Sequence, residues 1–305
     1  MSKSSLRSPR RPASAFAALL LALFTLMFLA APATHATPPA PTRVTVLPDI
    51  PGALDTFPLA INNQGQVAGF YYDSNYNFYG FVYENGAYTA IAFPGALGTL
   101  PTSINDRGQI VGNFYGSDFL IRSFLYDKGV YSELTDPNAF QVVANGINNR
   151  GQIVGTYGTY LDGHFVERNF LYDKGVYNIF PDIPGARLNF PTTINDRGQI
   201  VGTYFDNNFG VHGYVYDKGV YTILDAPGAL STGASSINDR GQILGSYSDN
   251  NSVNQNFLYD KGVYTPLPNV PGAVSTSAYG INDRGQVTGT YHDSNSQAHG
   301  FVLSR

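Results

Sequence analysis

Ile194-Asn195-Asp196-Arg197-Gly198-Gln199-Ile200-Val201-Gly202-Thr203-Tyr204 decides the fold of this chain, because nearly the same words occur six times. The anchoring isoleucines are Ile61, Ile104, Ile147, Ile194, Ile237 and Ile281, spaced by 43, 43, 47, 43 and 44 residues. A fixed period in this range marks a repeat architecture. Within the fourth copy, Asn195 to Gly198 predicts a tight turn with the glycine in a left-handed position. Gln199 to Tyr204 is rich in β-branched and aromatic residues and predicts a strand. A loop of Asp, Asn and Gly follows, then a third strand at 213–216. Asp217-Lys218-Gly219 predicts a second bulged hairpin turn. A fourth strand follows at 220–224, and Ala226-Pro227-Gly228-Ala229 breaks the sheet. Each unit is therefore an antiparallel four-stranded meander. The recurring strand glycine, Gly202 in this copy, is expected to let a neighbouring aromatic pack over bare backbone.

The two ends close the count. The sixth copy stops after its third strand, at Gly300-Phe301-Val302-Leu303, while Arg43-Val44-Thr45-Val46-Leu47 and its Pro48-to-Ala53 linker form an orphan fourth strand. An open solenoid needs a cap at both ends, whereas a ring needs none. The expected fold is all-β: a six-bladed β-propeller of four-stranded antiparallel blades, closed by an N-terminal strand that completes the last blade. It spans residues 43–305 as a single domain, after a short linker at 37–42.

Residues 1–36 read as a secretory signal peptide. Lys3, Arg7, Arg10 and Arg11 precede an apolar run from Ala15 to Ala31, and small residues mark cleavage after Ala33 or Ala36. The run is about long enough to span a bilayer, so an uncleaved anchor is the alternative. Four of the 18 basic residues and none of the 22 acidic ones lie in this leader, so the exported chain has a formal charge of −8. That acidity, without basic runs, argues against nucleic acid and against anionic membranes. Cysteine is absent, which excludes disulfides and thiolate metal sites. Both methionines lie in the leader, so the exported chain has no sulfur side chain to oxidise. An extracellular or envelope location follows.

The units Ile-Asn-Asp-Arg-Gly-Gln-Ile-Val-Gly, Gly-Phe-Val-Tyr-Asp-Lys-Gly and Leu-Asp-x-Pro-Gly-Ala resemble the bacterial extracellular repeats of the HAF family, named for a His-Ala-Phe motif. The corresponding positions here include His212-Gly213-Tyr214 and His299-Gly300-Phe301. The histidine is kept in two of six copies and the alanine in none. The resemblance covers the whole exported chain. It implies an extracellular protein and carries over no catalytic residues.

In a propeller the Asn-Asp-Arg-Gly and Asp-Lys-Gly turns share one face. The loops between second and third strands, and the Pro-Gly-Ala crossovers, share the other. Variation among copies is concentrated in this second set, which makes it the expected binding face. The first loop is the most aromatic, and Tyr72, Tyr76 and Phe78 are candidates for stacking on sugar rings or anchoring a protein. The third unit is longer, and its loop from Gly158 to Arg168 carries Asp162, His164, Glu167 and Arg168, a set with the residue types for acid–base or polar ligand contacts. Asp73, Asp206, Asp249 and Asp293, each with an asparagine two residues on (Asn75, Asn208, Asn251, Asn295), are weak Ca²⁺ candidates. Their spacing suits turn chemistry better, and no other cofactor is implied. His212 and His299 recur at matched positions, which points to structure.

Residues just before the anchoring isoleucines, such as Thr102-Ser103, Thr192-Thr193 and Ser235-Ser236, contain no carboxylate, histidine or lysine, so a neutral channel is expected. These features favour a secreted, non-catalytic binding or structural module whose partner is a glycan or an extracellular protein. The alternative is an extracellular polysaccharide hydrolase or lyase, which requires groups that break the repeat symmetry. Oligomeric state is not readable.

Overall fold

The computed structural model describes residues 43–249 and 254–304; the leader lies outside them. Among the described residues twenty-four strands form six blades of four antiparallel strands, with blades 4 and 5 joined by one parallel pair, Val211 opposite Ser231. Blade 1 holds β2 (Ala53–Ile61), β3 (Val67–Asp73), β4 (Phe78–Glu84) and β5 (Ala87–Ile91). Blade 2 holds β6 (Gly98–Ile104), β7 (Ile110–Tyr115), β8 (Ile121–Asp127) and β9 (Val130–Leu134). Blade 3 holds β10 (Gln141–Ile147), β11 (Ile153–Leu161), β12 (His164–Asp173) and β13 (Val176–Phe180). Blade 4 holds β14 (Ala186–Ile194), β15 (Ile200–Asp206), β16 (Val211–Asp217) and β17 (Val220–Leu224). Blade 5 holds β18 (Ser231–Ile237), β19 (Ile243–Ser248), β20 (Asn254–Asp260) and β21 (Val263–Pro266). Blade 6 holds β22 (Ser275–Ile281), β23 (Val287–His292) and β24 (Ala298–Ser304).

The fourth strand of blade 6 is β1 (Arg43–Val46), paired antiparallel with β24 from Arg43 opposite Ser304 to Val46 opposite Phe301. Leu47 continues the lock, donating its N–H to Gly300 O at 2.9 Å and packing with Ile61, Val67 and Phe81 of blade 1. The ring is thus closed as the orphan strand requires.

Blades bury both faces. One aromatic per third strand is fully buried: Phe81, Phe124, Phe170, Tyr214, Phe257 and Phe301. Each buried ring of this kind contributes about 2 kcal/mol by area. Every inner strand carries a bulge just before its anchoring isoleucine, for example between Pro191 and Thr193. The recurring glycine faces that bulge: a Cβ on Gly202 would strike the Phe190 carbonyl first and the Tyr214 ring second. Backbone approach is therefore the tighter constraint, and the covering aromatic comes after it.

Two turn readings change. Lys218 (φ 50°) and Gly219 (φ 89°) are both left-handed, with Asp217 paired to Val220. This is a two-residue type I′ hairpin, not a bulged one, and it recurs at Asn85-Gly86, Lys128-Gly129, Lys174-Gly175 and Lys261-Gly262. The third-unit insertion is not a loop. It extends β11 and β12 to the Leu161–His164 pair, capped by Asp162 (φ 49°) and Gly163 (φ 78°).

Candidate functional site

The short turns converge on the channel axis and bond blade to blade. Asn62, Asn105, Asn148, Asn195, Asn238 and Asn282 are buried, and each Nδ2 donates to the carbonyl of the next in a closed ring at 2.9–3.0 Å. The Oδ1 of each also caps its own turn, as Asn195 does for the N–H groups of Arg197 and Gln199. A second ring lies inside it. The N–H groups of Asn63, Asp106, Asn149, Asp196, Asp239 and Asp283 each donate to the side-chain Oδ1 of the next residue at 2.6–2.8 Å. These residues line a shallow, solvent-open depression of about 80 Å³.

The channel mouth on this face is therefore acidic, which corrects the expected neutral channel. The four carboxylates, Asp106, Asp196, Asp239 and Asp283, come from the turns after Ile104, Ile194, Ile237 and Ile281, and the ring geometry brings those turns together on the axis. Asn63 Nδ2 donates to Asp106 (2.8 Å) and Asp283 (2.6 Å), and Asn149 Nδ2 donates to Asp106 and Asp196 (both 2.9 Å). The alternation fails at Asp239, which stands between Asp196 and Asp283 with no amide to separate them. Burial, with the charges of Asp196 and Asp283 and a hydrogen bond to Asp196, pushes its pKa up to about 6. Among the described residues no group of three or more His, Asp or Glu side chains is arranged to hold a metal ion.

The opposite face separates the sequence-predicted residues. Tyr72 is half-buried edge-on against Phe57 (5.9 Å) and Phe70 (5.5 Å), and burial raises its hydroxyl pKa. Phe78 sits over Gly98 of the next blade and packs edge-on with Tyr115. Both are packing residues, which leaves Tyr76 as the exposed one of these three candidates, at 74 %. Asp162 and His164 stand at the tip of the blade 3 hairpin, and Arg168 is paired with Asp182 at 3.0 Å, so these groups do not converge.

Three of the four acid–amide pairs are turn caps; the fourth, Asp249 with Asn251, has its asparagine outside the described residues. Asp206 Oδ1 accepts from Asn208 N (2.8 Å) and Gly210 N (2.7 Å), and Asp73 and Asp293 do the same in their loops. Backbone donors hold the Asp206 and Asp293 pKa values down, and the Asn77 side chain leads for Asp73. Asp249 lies beside Tyr247, whose pKa its charge helps raise. His212 donates from Nδ1 to Asp225 at 2.9 Å and stacks on Tyr204, and His299 does the same with Asp49 and Tyr291. These histidines staple a third strand to the crossover beyond it.

Sequence reasoning missed the other tips. Phe119 (77 % exposed) and Phe209 (64 %) occupy the place of Tyr76, at the same offset from the anchoring isoleucine (61 to 76, 104 to 119, 194 to 209). All three aromatics are left-handed, at φ 61–64°, a conformation bulky residues seldom adopt. Aligning the copies on the isoleucine would have found them. Phe140, Tyr160 and Phe165 add an exposed edge-to-face cluster at blade 3. Every exposed aromatic among the described residues lies on this face.

No family model and no curated protein matches the chain. Solved structures do. AofleA from Arthrobotrys oligospora superposes with a TM-score of 0.55 at 12% identity, covering 86% of each chain. The fucose-recognising six-bladed lectin of Aleuria aurantia gives 0.50 at 14% identity, over 82% of this chain and 93% of that one. A gluconolactonase from Xanthomonas campestris gives 0.50 at 11% identity, over 86% and 89%. At these identities the likeness is one of fold: the chain is a six-bladed β-propeller.

Proposed function

We propose that this chain is an exported, non-catalytic propeller that binds an extracellular glycan with its variable-loop face. The observation that carries this reading is the confinement of exposed aromatics to that face, with Tyr76, Phe119 and Phe209 held outward by left-handed backbone. Aromatic rings present flat apolar surface to sugar C–H faces. The titratable groups beside them are engaged in turn caps and blade staples, which supports binding over catalysis. Export rests on the leader at 1–36 and on the resemblance to HAF repeats.

A glycan array of the exported chain tests the reading. Specific hits are expected, and a Tyr76→Ser, Phe119→Ser, Phe209→Ser triple variant is expected to lose them while keeping its melting temperature. An array without hits overturns the glycan reading, and capture of a defined protein ligand by the same tips would replace it.

A further inference from the structure

The loops that carry the exposed aromatic tips do not need them. Tyr76, Phe119 and Phe209 each follow an anchoring isoleucine by 15 residues, and blade 6 has Ser296 at that offset. All four residues close the same turn. Each donates its N–H to the carbonyl three residues back, at 2.9–3.1 Å, and each is left-handed, Ser296 at φ 65°. A small residue therefore builds this turn, and a bulky ring is an outlier in it. Nor are the rings placed for the core, since they are 74, 77 and 64 % exposed. Strain without burial points to a contact made outside the chain.

Beside each tip stands the residue that follows the Pro-Gly-Ala crossover (Pro-Asn-Ala in blade 3). In blade 4 it is Arg187, whose guanidinium lies 4.7 Å from the centre of the Phe209 ring. In blade 3 it is Phe140, edge-on to Tyr160 at 5.9 Å, and Tyr160 meets Phe165 at 5.7 Å. Blades 1 and 2 place Leu54 and Leu97 there, 37 and 51 % exposed. Four consecutive blades thus carry exposed aromatic rings. At the tip offset the sequence of blades 5 and 6 has serine, Ser252 and Ser296.

A ring standing in solvent offers a flat face and does not enclose a ligand. Stacking on one such ring changes the affinity of a sugar by about tenfold at most. Contacts this weak, set one to a blade, serve a ligand that reaches several at once. Linking them raises avidity by about 10²–10⁴ without any new contact. Charge narrows the ligand further. Asp73, Asp118 and Asp206 lie within three residues of the three tips. Hydrogen bonds, led by the Asn77 side chain, Arg122 and Gly210 N respectively, hold all three in the ionised form. Arg122 pairs with Asp118, but Asp73 and Asp206 have no Lys or Arg partner among the described residues. A polyanion is repelled there, and an uncharged chain is not.

We propose that the glycan bound by the loop face is an uncharged polysaccharide, held by stacking on the aromatic tips of at least two of blades 1 to 4, with no single tip sufficient as a site. The proposal rests on the glycan reading above and adds the class of ligand and its valency.

The test is affinity electrophoresis of the exported chain through gels containing dextran, galactomannan, xyloglucan or mixed-linkage β-glucan, with polygalacturonate as the charged comparison. Isomaltose, mannobiose and cellobiose serve as competitors too short to join two blades. At least one neutral polymer is expected to retard the chain, with its disaccharide weaker by about tenfold or more at equal sugar-unit concentration. Tyr76→Ser, Phe119→Ser and Phe209→Ser are each expected to weaken retardation by about three- to tenfold, and the triple variant to abolish it with an unchanged melting temperature. The competition uses no variant, so it decides the matter even if a substitution folds poorly. A disaccharide that binds as well as its polymer overturns the proposal. So does one tip variant that abolishes binding while the other two change nothing, retardation by polygalacturonate equal to that by the neutral polymers, or no retardation by any neutral polymer. A dense glycan array supplies avidity of its own. Array hits without retardation by any polymer therefore remove the polymer and leave the glycan reading standing, whereas failure of both removes both.

Discussion

The two faces of this ring are made by the same six repeats, yet they differ in how their polar groups are employed. On the turn face every Asn of the outer ring bonds its own turn and the next blade. On the loop face most polar groups bond within their own loop, as when Asp206 caps its own hairpin, with blade-to-blade bonds such as Ala298 N to Asp55 Oδ1 at single seams, and the aromatic tips point into solvent. Positions that must match a neighbour in all six directions stay nearly identical among copies. Positions that answer only to their own loop are free to differ, and the difference separates stability from recognition.

The largest effect expected from breaking that contrast is on the turn face. Asn195→Ala removes bonds to Arg197 N, Gln199 N, Gln199 Oε1 and Asn238 O. Leaving buried partners unsatisfied there is expected to cost about 3 kcal/mol, a fall in melting temperature on the order of 6–12 °C. Asn238→Ala should match it within about 1 kcal/mol, because Asn238 makes the same set. A loss under about 0.5 kcal/mol in either would show that the ring does not hold the blades together.

Asp239 is the place where that face departs from its own pattern. Its folded pKa, about 6, lies above the carboxylate reference of 3.8, so the folded state binds the extra proton. The associated stability is fully present below about pH 4 and is lost as pH rises through about 6. Solvent screening at this part-exposed site leaves roughly 1 kcal/mol of the effect. Asp239→Asn restores the amide–carboxylate alternation around the ring. The variant is therefore expected to gain about 1 kcal/mol over the parent at pH 8 and little at pH 4. Equal differences at both pH values, read from denaturant midpoints, would refute the raised pKa of Asp239.

A smaller gain is expected on the loop face. Phe119 sits at φ 61° and is 77 % exposed. Asparagine tolerates the left-handed region better than phenylalanine, so Phe119→Asn is expected to stabilise the chain by about 0.5 kcal/mol while weakening glycan binding. A stability loss would mean that the ring is packed in solution, and the contrast between faces would blur.

How far all this was legible follows the range of the interactions. The blades and their number were readable because hairpins are local and Val44 to Leu47 visibly supplies the strand missing after Leu303. The acidic mouth was not, because nothing local in Asn-Asp-Arg-Gly says that six such turns meet on an axis. The polar reading of the third unit missed that Thr159 pairs with Val166 and Tyr160 with Phe165.

The smallest expected effect concerns the loop carboxylates as calcium ligands. Asp73, Asp206 and Asp293 each direct Oδ1 at two backbone N–H groups of their own hairpin. Those bonds hold the carboxylates in the ionised form, the form a cation needs, but they take up lone pairs that a hard cation requires several of at once. The Oδ2 atoms of Asp206 and Asp293 lie 3.7 and 3.6 Å from His212 and His299 Nε2, and a neighbouring imidazole competes with any bound cation. An ion held by the folded chain raises its melting temperature by mass action. Melting curves with excess Ca²⁺ and with chelator are therefore expected to agree within about 1 °C. A larger shift that vanishes in Asp206→Asn would assign the loop acids to calcium and make the loop face, like the turn face, a source of stability.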